Sequence, residues 1–444
     1  MKIIIVKKIY IFLLLISCLI FFHYLKQNYT INYYDETGYI ALSQQIMEKG
    51  VFGFNESLRT YLYPLLISFV RIFTGDAMHY TKVIVSILQY VLYIYTVSYI
   101  ARQVLLRTNI NAMYYTIICF GFLNPYLIQS TTLFLTDITA CCLIALAIFI
   151  TIFNRFESIK IYIGVFMLSF SAVMIRPSTL ILVFSVFVLL FLRKFLLKDL
   201  SFLKGILAGV ISSIIFLPQL YNNVVNYNDW NILIHDKLYD FQSRLAATYL
   251  KYGTVVIPDE VPQLIYATPF KIDPAYSIFD LVIHNIPAFL LAYFSHIFGV
   301  LDWGYIDTYI HDFYPASRVY APILLYIFWA VSFYGMIVFL KNRAKTVEYK
   351  FMALGFIIPF VVYALFIGTA VVESRFGYPL WFMALPFVGF GIVRIIELYK
   401  ENKYSKTRIT LFLISILFIM ITSISLLSFK LELSTGRINW FGFF

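Results

Sequence analysis

The chain has 444 residues, of which 61% are hydrophobic and 13% charged, and its mean hydropathy is +0.83. Soluble domains run at roughly 45–50% apolar and about 25% charged, so this composition excludes a water-soluble globular protein and makes lipid the solvent for most of the chain. The four cysteines (Cys18, Cys119, Cys141, Cys142) all lie in apolar runs, which excludes a disulfide framework or a zinc site, and the net charge of +11 is a topology signal before it is a nucleic-acid footprint.

A bilayer core of about 30 Å needs roughly 20 apolar residues in a helix. The first run, 9–25, follows Lys2, Lys7 and Lys8, and bulky Phe21, Phe22, His23 and Tyr24 stand where a cleavage site would need small residues. It reads as an uncleaved anchor. Next comes Tyr33-Tyr34-Asp35-Glu36-Thr37-Gly38-Tyr39, leading into a segment of helical period. Tyr39, Leu42, Ile46 and Met47 fall on one face, Gln44, Gln45, Glu48 and Lys49 on the other, and Gly50 can end the helix. The run 61–75 is apolar but short and carries Pro64 and Arg71, which predicts a helix lying in the interface.

Spans follow at 80–102, 112–129 and 133–153. Between 160 and 193 two shorter runs meet at Arg176-Pro177, and because proline disfavours helix in the residue before it, this predicts a helical hairpin. Runs at 203–220, 319–340, 351–372, 377–395 and 409–429 bring the total to eleven, while 281–300 reads as a re-entrant or interfacial helix. The expected fold class is an all-α polytopic membrane protein with about 11 transmembrane helices and interfacial helices in its first outer loop. It divides into an N-terminal transmembrane module, 1–220, containing the outer loop 26–79; a large outer-face region, 221–318; and C-terminal transmembrane helices, 319–444.

With 61–75 in the interface, the N-terminus and the loops 103–111, 154–160, 193–203, 341–350 and 394–408 fall on one side and carry more than half of the 34 Lys and Arg. All acidic residues except Glu157, Asp199, Glu348, Glu397 and Glu401 fall on the other. The positive-inside rule then predicts a multi-pass protein of the cell (inner) membrane, with a cytoplasmic N-terminus and with its C-terminus and catalytic loops outside.

The outer level gathers ionisable residues. Asp35 and Glu36 stand at the start of an in-plane helix, where a carboxylate can be an N-cap or first-turn charge, or a partly desolvated general base. Asp137 follows the Asn124-Pro125 break at the same level. Arg59, Arg176 and Arg375 each sit at an outer end, against the charge gradient; snorkelling explains any one of them, but several cations beside three carboxylates suggest an anion site, for which guanidinium suits phosphate.

In order along the chain, Asp35-Glu36-x-x-Tyr39-x-Ala41-Leu42, Gly50-x-Phe52, Arg59 to Tyr63-Pro64-Leu65, Asn124-Pro125 with Asp137, Arg176-Pro177 and Glu373-Ser374-Arg375-Phe376-Gly377-Tyr378-Pro379 resemble the GT-C glycosyltransferases. The likeness is to bacterial members similar to protein O-mannosyltransferases and to the lipid A aminoarabinose transferase, and it runs from residue 1 to about 395. It implies transfer of a sugar from a polyprenyl-phosphate donor to a lipid, glycan or protein acceptor on the outer face. Asp35 would be the base with Glu36 as neighbour, Asp137 the second-loop acid, and Arg59 and Arg375 donor-phosphate contacts, a role to which Arg176 is added. The late segment departs from the family in reading Arg-Phe where many relatives have Arg-Tyr.

The reacting groups of a lipid-tailed donor and a hydroxyl acceptor from water meet at the interface, and the lipid phosphate is a good leaving group, so no cofactor is required. A divalent metal fits such chemistry but is not indicated, since the outer histidines lack ligand spacing such as His-x-x-x-His. Apart from membrane lipids the expected partners are the donor and the acceptor, with no nucleic acid. Two other classes compete. An O-antigen polymerase-like enzyme would lean on arginines of its large outer loops without needing the Asp35-Glu36 pair, and a lipid-linked glycan flippase or transporter would carry mid-span charges and repeat symmetry.

Overall fold

The computed structural model describes residues 2–254, 263–301, 317–341, 346–401 and 431–433. The protein is an all-α membrane protein: seven described helices are long and apolar enough to cross a bilayer, lying at Lys8–Asn28, Met78–Thr108, Thr136–Phe153, Pro177–Leu196, Phe202–Tyr227, Val347–Ile367 and Arg375–Lys400. The expected span 409–429 lies outside the described residues. By contact the chain forms two compact units, Met1–Asp236 with Asn342–Phe360, and Lys237–Lys341 with Val361–Phe444.

In the first unit, α1 (Lys2–Asn28) is followed by α2 (Tyr34–Lys49), α3 (Leu62–Thr74) and the long α4 (Met78–Thr108). Gly50 ends α2 at φ 77, as its position predicts, and Leu42 and Ile46 are buried on the expected face. Met47 is not, standing 42% exposed. α3 has 13 residues, about 20 Å of helix, which is too short for a bilayer core of about 30 Å. Tyr63, Ile67 and Arg71 are buried along one of its faces while Phe69, Ile72 and Phe73 stand exposed on the other.

Within the run 112–129, α5 (Asn111–Phe122) ends at the expected Asn124-Pro125 break, and a short further helix, α6 (Pro125–Ser130), follows it. Pro125 drives Asn124 into an extended conformation, and the Asn124 side chain accepts a hydrogen bond from the Leu127 N–H at 3.1 Å, capping the new helix. α7 (Thr136–Phe153) is almost wholly buried and packs against α4, α8 (Ile159–Ile175) and α9 (Leu180–Leu196). α8 and α9 form the hairpin expected at Arg176-Pro177. The Arg193 guanidinium ties the far end of this group together, donating to Asp199 and to the Thr151 carbonyl at 2.7 Å, with the Phe156 ring 4.9 Å and the Phe351 ring 5.5 Å away. α10 (Phe202–Ser212) and α11 (Leu217–Tyr227) complete this unit's helices before Asp236.

In the second unit, α12 (Leu238–Thr248) runs into β1 (Tyr249–Thr254), which pairs antiparallel with β2 (Gln263–Ala267), itself paired with β3 (Leu431–Leu433). The short α13 (Asp280–His284) leads to α14 (Ile286–Leu301), and His296 on α14 places its ring nitrogens 2.8 Å from the Gly368 and Tyr249 carbonyls. α15 (Ser317–Lys341) and α17 (Tyr378–Glu401) pack closely through missing side chains: a Cβ at Gly335 would fall 1.9 Å from the Phe387 carbonyl oxygen, and one at Gly391 2.3 Å from that of Val331. Between them in sequence lies α16 (Val347–Ile367), of which the residues up to Phe360 belong to the first unit.

Candidate functional site

The loop between α1 and α2 places the two adjacent carboxylates in different surroundings. Glu36 is the third residue of α2, so its side chain turns back to the helix start and accepts from the Tyr33 N–H at 2.9 Å, half of a capping box. The same carboxylate receives the Lys82 ammonium at 2.7 and 2.9 Å and the Phe134 N–H at 2.7 Å, and has no solvent exposure. Burial pushes the Glu36 pKa up, against the pull of the Lys82 charge and these hydrogen bonds. Lys82 also donates to the Ile31 carbonyl at 2.5 Å. One ion pair therefore joins α2, the chain before it, the first turns of α4 and the chain entering α7.

Asp35 precedes Glu36 by one residue and points elsewhere. It is about 29% exposed and lies 3.8 Å from the Arg59 guanidinium, which is about 26% exposed. That separation is an ion pair without a hydrogen bond. Arg59 also lies over the Tyr39 ring, 5.3 Å from its centroid. Tyr39 is only partly buried and meets the Tyr63 ring edge-on at 5.3 Å. Burial raises its pKa, and the charges it feels are those of Arg59, Asp35 and Arg176. Tyr39 thus stands between the Asp35–Arg59 pair and a second pair formed by the Arg176 guanidinium and Asp137.

That second pair follows from local structure. Arg176 closes α8 in an extended conformation ahead of Pro177, and Asp137 occupies the first turn of α7. Arg176 Nε donates to the Ser178 hydroxyl at 3.1 Å, and Asp137 is only 2% exposed. Beneath both pairs Gln89 of α4 donates to the Thr131 carbonyl at 3.0 Å and the Leu133 carbonyl at 2.8 Å. It accepts from the Tyr63 hydroxyl at 3.1 Å and the Thr139 hydroxyl at 2.8 Å.

The segment carrying Arg59 is held by amides on α11. Asn222 donates to the Glu56 carbonyl at 3.0 Å and Asn226 to the Phe54 carbonyl at 3.3 Å, while the Ser57 hydroxyl donates to Asp236 at 2.6 Å. Asn223 donates to the Asn231 carbonyl at 2.7 Å and the Leu233 carbonyl at 2.5 Å, fixing residues 229–236 beside the same segment.

Five of the six expected site residues, Asp35, Glu36, Arg59, Asp137 and Arg176, lie together in the first unit. Arg375 belongs to the second, where its Nε lies 2.8 Å from Glu373 and its guanidinium 5.6 Å from the Phe376 ring centroid. Sequence reasoning passed over Lys82, Gln89 and the α11 amides. Lys82 carried a usable signal, a cation in the first turns of an apolar helix, but the apolar run absorbed it. Among the described residues no three His, Cys, Asp or Glu side chains gather as metal ligands. No family model, curated protein or solved structure matches this chain.

Proposed function

We propose that this protein is a GT-C-type membrane glycosyltransferase that moves a sugar from a polyprenyl-phosphate donor to a hydroxyl acceptor on the outer face of the cell membrane. The observation that carries the reading is the Asp35–Arg59 pair: a partly exposed carboxylate and a guanidinium 3.8 Å apart at the start of an interfacial helix, beside a carboxylate already committed to Lys82. Asp35 takes the proton of the acceptor O–H as that oxygen bonds to the anomeric carbon. The bond from that carbon to the phosphate oxygen breaks through an oxocarbenium-like state, and its electron pair leaves on the lipid phosphate. Arg59 meets the charge growing there. Asp137 and Arg176 supply a second acid and cation around Tyr39, and Glu36 holds α2 in place rather than reacting. Arg375 is assigned to donor phosphate on the resemblance alone.

In the proposed topology about eleven spans place the N-terminus in the cytoplasm and residues 26–79 and 221–318 outside. The reading is tested with purified protein in lipid and a panel of radiolabelled polyprenyl-phosphate sugars. Wild-type protein should release free polyprenyl phosphate from at least one donor when sugar-accepting lipids or glycans are present. Absence of release and of transfer across the panel would overturn it.

A further inference from the structure

Gly38 lies inside α2, where glycine is the poorest helix former after proline, so its presence there calls for a local reason. The structure supplies one. A Cβ built on Gly38 would lie 2.8 Å from Arg59 Cζ and 3.0 Å from each of its terminal nitrogens, closer than van der Waals contact allows. The guanidinium therefore lies directly against the bare backbone of α2, with the Asp35 carboxylate 3.8 Å away and the Tyr39 ring centroid at 5.3 Å. These neighbours are a loose ion pair and an aromatic face, and neither consumes the N–H fork that recognises phosphate in a bidentate manner.

We propose that Gly38 is a positioning residue that seats the Arg59 guanidinium flat against α2, between Asp35 and Tyr39, with its N–H fork presented to the phosphate of a lipid-linked donor. The assignment rests on the functional reading above and deepens it. A side chain at position 38 meets the far end of a flexible arginine rather than packed backbone, so the fold accommodates it while the guanidinium moves off its seat. Lysine at position 59 would not need the seat, because an ammonium is a compact charge without a planar fork.

The test is a double-mutant cycle on the full-length protein. Gly38→Ala alone should raise the KM for the polyprenyl-phosphate sugar about tenfold, the value of one charge-assisted hydrogen bond, while kcat changes less. Its thermal unfolding temperature should be equal to wild type or higher, since alanine favours helix, and a purely structural glycine would show the opposite split. Introduced into Arg59→Lys, the same change should add nothing further to KM. A wild-type KM in Gly38→Ala, or effects that multiply in the Arg59→Lys background, would overturn the assignment. If Gly38→Ala yields less folded protein, binding of polyprenyl phosphate in phosphatidylcholine vesicles is measured on the monodisperse fraction, with the same tenfold loss expected and equal binding counting against it. Should wild-type protein turn over no donor, the functional reading fails, and this vesicle measurement still decides whether Gly38 seats a phosphate-binding arginine.

Discussion

The Lys82 ammonium lies 2.7 Å from one Glu36 carboxylate oxygen and 2.9 Å from the other, with both side chains at most 1% exposed. Two buried charges persist only where each satisfies the other and the remaining hydrogen-bonding sites are filled, here by the Tyr33 and Phe134 N–H groups and the Ile31 carbonyl. Removing one partner strands the other. Glu36→Gln or Lys82→Met should each lower stability by about 3–5 kcal/mol, the usual cost of breaking a buried pair, while the double replacement should recover a large part of the loss. Thermal unfolding in detergent reads this directly, and simple additivity of the two losses would contradict the pairing.

Asp35 should behave in the opposite way. It is partly exposed and 3.8 Å from Arg59, so Asp35→Asn keeps the side chain's size and leaves the Glu36–Lys82 pair and the capping of α2 by Glu36 untouched. Membrane insertion and unfolding temperature should match wild type while sugar transfer falls to background. A variant with full transfer activity would remove Asp35 as the base, and a variant that fails to insert would make it a structural residue.

Arg59 depends on a segment whose backbone carbonyls at Phe54 and Glu56 are held by Asn226 and Asn222. Asn222→Ala frees the Glu56 carbonyl and loosens the approach to Arg59 from the α11 side. The expected result is a KM for donor raised several-fold with kcat changed less, because Asp35, the proposed base, sits on α2, which this change does not touch. Steady-state kinetics checks the split, and a fall in kcat with constant KM would place the amide's influence on chemistry instead of binding.

How legible this was in the sequence varies with the physics involved. Membrane character, the hairpin at Arg176-Pro177, the shortness of α3 and the end of α2 at Gly50 all follow from local rules of hydropathy, proline and glycine, and the structure has them. The end of α5 before Asn124 follows from the Asn-Pro pair, while the short α6 beyond it was hidden in the same apolar run. The partition of Asp35 from Glu36 was not legible, because it depends on Lys82 arriving from 46 residues away and on the Phe134 N–H from further still. Neighbouring carboxylates look interchangeable in sequence; a helix turn and one distant cation separate them.

The proposed orientation leads to an accessibility experiment. If 61–75 is an interfacial helix and not a span, residues 26–79 lie on one side of the membrane throughout, and that side is external. A cysteine in place of Glu56, in a background where Cys119 is replaced by serine, should react with a membrane-impermeant maleimide added to intact cells. Glu56 is suitable because its side chain accepts only from the nearby Leu58 N–H, at 2.8 Å, while its carbonyl, which Asn222 uses, survives the change. A second cysteine at Lys345, in the positively charged stretch 341–350, should label only after the cells are opened. Labelling of both from outside, or of neither until lysis, would break the charge-based topology, and labelling of position 345 alone from outside would invert the whole chain and move the Asp35–Arg59 pair to the cytoplasmic face.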